Sequence, residues 1–196
     1  MSTGRMEAFS DGVIAILITV MLLELHIPEG TTWDALGDKA PVLLSYVLSF
    51  VYLGIYWNNH HHMLQATAHV TGGVLWANLH LLFWLSLVPF TTGWMGENHF
   101  ATTPVAAYGI TLLMAGVAYY ALQTLIVRSH DDDSAFREAL GSDWKGKASP
   151  VLYIAGIAST FANRWVGVAF YVVVALMWLV PDRRMEQVVT NHSVSG

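Results

Sequence analysis

Long apolar runs almost free of charge limit this chain's choice of fold more than any other feature. The first lies in residues 5–28, RMEAFSDGVIAILITVMLLELHIP, where the charge-free stretch from Gly12 to Leu23 is bounded by Asp11 and Glu24. About 20 apolar residues cross a bilayer as a helix. The 196 residues are 55% hydrophobic and only 12% charged, against about 25% charged in a typical soluble domain. This is the composition of an integral membrane protein. An early Arg, an Asp inside the apolar region and no A-x-A pattern make the first span one that is retained rather than cleaved.

The pattern predicts six spans, about 6–27, 41–63, 73–95, 102–127, 150–163 and 165–181, in a single all-α transmembrane domain, residues 1–196. The last two runs are divided by Asn163 and Arg164. They read as two short helices with a tight turn, or alternatively as one crossing plus a re-entrant piece. The polar segment 128–148 is expected to hold a short amphipathic helix near 133–140. With six spans, Arg5, Arg128, Arg137, Lys145, Lys147, Arg183 and Arg184 share one side, and only Lys39 and Arg164 lie opposite. The side rich in Lys and Arg is the cytoplasmic one, so both termini are expected there and the location is the cell (inner) membrane. Glu29, Asp34, Asp38 and Glu97 on the other side attract cations. Trp33, Tyr56, Trp57, Trp94, Trp165 and Trp178 fall near predicted span ends and read as interfacial anchors.

On a helical wheel, Ile16, Val20, Leu23 and Ile27 form one narrow seam, with Phe9 in line and Thr19 beside it. Asp11 falls roughly opposite, and Glu24 sits near the seam at its far end. This fits an ordinary bundle helix or a pore-lining one. Asp11 is either a proton-relay acid or a structural acid paired with Arg5, a His or an indole N–H, since charges at membrane depth face a protein interior or a water path. His60, His61 and His62 point about 100° apart on a helix and do not converge on one ion. One or two of them are expected to hydrogen-bond within the bundle, and no metal or cofactor is expected. His26 and the 60–62 group are candidates for pH sensing or helix clamping, because histidine titrates near neutrality. There are no cysteines. Hydrolase and nucleotide-binding motifs are absent, and no basic stripe suggests nucleic acid. The chain does not read as an enzyme.

Arg5-x-x-x-Phe9-Ser10-Asp11 resembles the R-x-x-x-F-S-D signature of the transmembrane-protein-175 family of potassium channels. The likeness continues in order with Y-W-x-N-H-H at 56–61, W-x-N-L-x-L-L-F at 76–83, S-L-V-P-F at 86–90 and P-D-R-R at 181–184. It resembles the single-repeat bacterial and archaeal members. The resemblance implies six helices per subunit, cytosolic termini and a homotetramer whose first helices line a central pore. It implies a constriction at Ile16, further apolar rings at Val20 and Leu23, and support for potassium selectivity from Thr19. Phe9, Ser10 and Asp11, with Arg5, are implied to tie the first helix to its neighbours. Glu24 would form an acidic ring at the outer mouth. The partners expected are three further copies, membrane lipid and permeant potassium ions. The alternative is a proton-coupled transporter that uses Asp11 and Glu24, although the middle of this helix is apolar except for Thr19.

Overall fold

The computed structural model describes residues 2–65, 67, 69–129 and 144–179. The described residues form eight helices: α1 (Thr3–Leu23), α2 (Trp33–Gly37), α3 (Ala40–Gln65), α4 (Gly72–Ser86), α5 (Val88–Glu97), α6 (Thr102–Arg128), α7 (Trp144–Thr160) and α8 (Arg164–Leu179). Four helical stretches are long and apolar enough to cross a membrane: Thr3–Leu23, Ala40–Gln65, Gly72–Glu97 and Thr102–Arg128. α7 and α8 are separate helices of 17 and 16 residues. At 1.5 Å per residue each is about 25 Å long, somewhat short of a hydrocarbon core of about 30 Å.

Three boundaries differ from the sequence pattern. α1 stops at Leu23, with Glu24 as its C-cap. Ile27 therefore lies beyond the helix and leaves the seam. The third run is broken at Leu87, because Pro89 occupies the first turn of α5. Proline has no N–H, and its ring clashes with the carbonyl four residues back. Proline is tolerated at a helix start, so the chain ends one helix and begins another. α7 begins at Trp144, ahead of the predicted 150, with Pro150 inside it. The segment near 133–140, the P-D-R-R motif, Arg137, Arg183 and Arg184 lie outside the described residues.

The helices alternate in direction. The Thr3 hydroxyl donates to the Thr67 carbonyl at 3.2 Å, and the Tyr119 hydroxyl donates to the Asn59 carbonyl at 3.3 Å. The start of α1, the end of α3 and the end of α6 thus share one end of the bundle. The turn between α7 and α8 is held by the Asn163 side chain, which accepts the Trp165 N–H at 3.0 Å. Arg5, Arg128, Lys145 and Lys147 lie towards one end of the bundle, Lys39 and Arg164 towards the other.

The centre of the bundle is built from tyrosines packed against small residues. Tyr52, Tyr108, Tyr153 and Tyr171 are buried together, with ring centroids 6.0–6.5 Å apart. A buried phenol needs a partner, and Tyr52 donates to the Tyr171 carbonyl at 2.6 Å. The Ser49 hydroxyl lies 2.6 Å from Thr92 and 3.0 Å from Tyr108, which links α3, α5 and α6. Tyr56 also belongs to the interior. It is 9% exposed and lies edge-on to Tyr119, so it is not an interfacial anchor. Trp33, Trp57, Trp94 and Trp165 are exposed, whereas Trp178 is half-buried and donates to the Ser149 hydroxyl at 2.9 Å.

α7 and α8 pack closely because Gly156 and Gly167 face each other. A Cβ at Gly167 would sit 2.9 Å from the Gly156 carbonyl oxygen and would also meet Thr160. Small residues let helix backbones approach where lipid provides no hydrophobic drive. Gly167→Ala is therefore expected to cost about 1–3 kcal/mol through overpacking, read as a lower melting midpoint in detergent. Gly54→Ala, whose added Cβ meets nothing within 4 Å, is expected to leave the midpoint unchanged or slightly higher. Equal melting of the two variants would remove the hairpin contact from the stabilising set.

Candidate ion pathway and its anchoring network

α1 carries two faces. Met6, Ser10, Ile14, Leu17 and Met21 repeat at helical spacing and are buried against the rest of the chain. Ile16, Val20 and Leu23 lie on another face and are 60%, 37% and 83% exposed, against 1% for Ile14 and 2% for Met21. The seam seen on the helical wheel is the face of α1 that the rest of the chain leaves uncovered. Thr19, beside the seam, is exposed too, and its hydroxyl donates to the Ile16 carbonyl at 2.9 Å. With its proton committed to the backbone, the Thr19 oxygen has lone pairs left for another partner. Glu24, also exposed, caps the far end of the helix.

The buried face is tied down by a chain of hydrogen bonds at the other end. The Ser10 hydroxyl donates to the Met6 carbonyl at 2.9 Å and accepts from Asn78 Nδ2 at 2.9 Å. Asn78 Oδ1 lies 2.7 Å from His60 Nε2. A carbonyl oxygen can only accept, so His60 Nε2 carries the proton. Ser10, Asn78 and His60 are at most 2% exposed. Three side chains on α1, α4 and α3 are thereby linked where water does not reach, with His60 Nδ1 left without a hydrogen-bond partner.

Beside this chain stands a second group. His61 Nδ1 lies 2.7 Å from Glu7 Oε1, and donor atoms of Glu7, Asp11 and His61 all lie within 4.8 Å of one another. Asp11 Oδ1 is buried without a hydrogen-bond partner. Among the described residues no ion pair involves Arg5, which is exposed. Phe9 is 52% exposed and is not part of the packing within the chain. Of the signature residues, Ser10 alone is locked to neighbouring helices by its side chain. At the opposite end His26 lines a cavity of about 200 Å³ with Asp38, Lys39, Glu97 and His99.

Sequence reasoning did not assign roles to Glu7, Asn78 or the central tyrosines. A signal existed for several of them. Asn78 is a lone amide inside an apolar run, and Glu7 precedes Asp11 by one helical turn. The tyrosines at 108 and 153 lie near the starts of predicted spans and suit the membrane interface as well, whereas Tyr52 and Tyr171 fall mid-span and did offer a signal.

Comparison with known proteins places this arrangement. A model of the family described as endosomal/lysosomal potassium channel TMEM175 matches residues 5–89. A potassium channel of Chryseobacterium sp. (strain P1-3) is 51% identical over 187 residues, which are 95% of this chain and 97% of that protein. The crystal structure of a lysosomal potassium-selective channel TMEM175 homolog from Chamaesiphon minutus superposes with a TM-score of 0.77 at 26% identity, over 91% of this chain and 96% of that one. The bovine endosomal/lysosomal proton channel TMEM175 is 36% identical over 83 residues, 34% of this chain and 17% of that protein. The exposed seam of α1, the buried network behind it and these likenesses lead to one conclusion: the chain belongs to the TMEM175 family of membrane ion channels.

Proposed function

We propose that the protein is a potassium-preferring cation channel in which four copies, each with six membrane spans and cytoplasmic termini, surround a pore lined by α1. The observation that carries this reading is the uncovered seam of Ile16, Val20 and Leu23 with the Thr19 hydroxyl beside it. Lipid tails would cover an apolar stripe equally well. The hydroxyl beside the seam and the carboxylate at its end are better used around an ion path. The Chryseobacterium and Chamaesiphon relatives, named as potassium channels, support the ion.

The physical mechanism follows from the side chains. Four Ile16 side chains meeting on an axis exclude water, and a hydrophobic constriction gates by dewetting. A small rotation or tilt of α1 widens it. An ion entering the neck sheds water, and potassium sheds it more readily than sodium. Thr19 oxygens, their protons turned to the Ile16 carbonyls, replace part of the lost hydration. Glu24 at the outer mouth raises the local cation concentration. The chain Ser10–Asn78–His60 holds the inner half of α1 against its own subunit.

A proton-coupled carrier using Asp11 and Glu24 has less support. Their thirteen-residue separation on α1 corresponds to a rise of about 20 Å. Between them the helix is apolar apart from Thr19.

Purified protein in a planar bilayer, with potassium on one side and sodium on the other, is expected to pass a current that reverses towards the potassium equilibrium potential. Reversal that follows an imposed proton gradient instead would defeat the potassium reading. Ile16→Asn wets the neck and is expected to raise conductance several-fold while reducing preference for potassium. Unchanged currents would remove Ile16 from the gate. Thr19→Val keeps the shape and loses the hydroxyl, so its reversal potential is expected to move towards zero with current retained. Asn78→Leu leaves the His60 Nε2–H buried without an acceptor and Ser10 with its Met6 bond alone, a loss of about 1–3 kcal/mol. It should appear as a lower melting midpoint that a further Ser10→Ala does not lower by the same step again.

A further inference from the structure

We propose that Glu7, Asp11 and His61 form a binding site for a divalent transition-metal cation of the zinc class, joining the first half of α1 to the last turns of α3. The site is distinct from the proposed pore seam and needs no ion conduction to exist.

Glu7 and Asp11 stand four residues apart on α1 and so lie on one face of the helix. His61 approaches from α3. One donor atom from each of the three comes within 4.8 Å of the other two, close enough that small side-chain rotations bring all three to about 2.0–2.2 Å from a single ion. An imidazole with two carboxylates matches zinc and its neighbours, whereas calcium takes six to eight oxygen ligands. Of the three consecutive histidines, which diverge around α3, the site uses one.

One observation points to an absent partner rather than to a closed network. Asp11 Oδ1 is buried and has no hydrogen-bond partner. His61 Nδ1 already meets Glu7 Oε1 at 2.7 Å as an ion pair, so these two side chains converge beside the Asp11 carboxylate. Two carboxylates are thus gathered half-buried with no Lys or Arg ion-paired to them among the described residues. His60, fully buried beside them, has its Nε2 committed to Asn78. A divalent cation would balance the two negative charges and engage the orphaned Asp11 Oδ1.

The surroundings of His61 resemble the support that metal ligands require. Its ring stacks on Trp57 at 5.9 Å, nearly parallel at 21°. The Gln65 amide lies 2.9 Å from its Nε2. A half-turn of that amide puts its oxygen there to accept the Nε2–H, which leaves Nδ1 bare as the ligand. The His61 and Glu7 side chains keep 31% and 21% of their surface, so an ion has a route in and a water can complete a tetrahedral set.

The test is zinc binding to protein purified without a polyhistidine tag, measured by calorimetry and elemental analysis. One Zn²⁺ per chain is expected, with affinity reduced about tenfold or more in Glu7→Gln and in His61→Ala, and unchanged in His62→Ala and His26→Ala. Absence of uptake, or equal uptake by all variants, overturns the proposal. A second measurement uses the unaltered protein and does not depend on variants folding. Zn²⁺ is expected to protect His61 from acylation by diethylpyrocarbonate, read by mass spectrometry, and to leave the exposed His26 and His69 reactive. Labelling of His61 that is indifferent to Zn²⁺ overturns it as well. Neither measurement involves a current, so failure here is separable from failure of the channel reading.

Discussion

The hydrogen-bond chain Ser10–Asn78–His60 is the constraint on which the rest of this structure depends. All three side chains are buried, and each would be costly to leave unmatched in an apolar interior. Together they fix the rotation of α1 about its own axis. With Ser10 turned inward, Ile14, Leu17 and Met21 follow it into the core at helical spacing, and Ile16, Val20 and Leu23 must face away. A single polar register thus decides which apolar side chains pack and which are presented.

That division matters because hydrophobicity cannot supply it. In a membrane both faces of α1 are comfortable, as lipid tails are as apolar as leucine. Orientation therefore comes from polar contacts and close packing. The fold uses both. Polar ties join α1 to α3 and α4, and Ser49 with Thr92 and Tyr108 joins α3, α5 and α6. Glycines at 96, 109, 156 and 167 stand where any Cβ would collide with a neighbouring helix. The large tyrosines at the centre fill the space opposite these small residues, and Tyr171 closes over both Gly109 and Gly156.

The two ends of α1 differ in kind. Around Ser10 there are acids, imidazoles and an amide within reach of one another, with Asp11 Oδ1 and His60 Nδ1 left without hydrogen-bond partners. Around Glu24 there is an exposed acid, and the adjoining Leu25 and His26 line a cavity that Asp38, Lys39, Glu97 and His99 also reach. The apolar middle separates two polar regions, and along α1 only Thr19 interrupts it between Asp11 and Glu24.

Much of this was legible in the residues alone. Length and apolar composition decide that the chain is helical and lives in a membrane, because backbone groups in lipid must be satisfied within each segment. The 3.6-residue period picks out the seam of Ile16, Val20 and Leu23, and the ordered motifs point to the family. Local chemistry at Asn163 marks the turn between the last two helices. The period did not say which face of α1 is buried, since an apolar wheel has no unique inside. Nor did it place Glu7 and Asp11 beside His61, fifty or more residues away along the chain. Those outcomes were decided only by the tertiary structure, because they depend on which polar groups find partners across helices. Such pairings are set by three-dimensional packing and leave no periodic trace along a sequence.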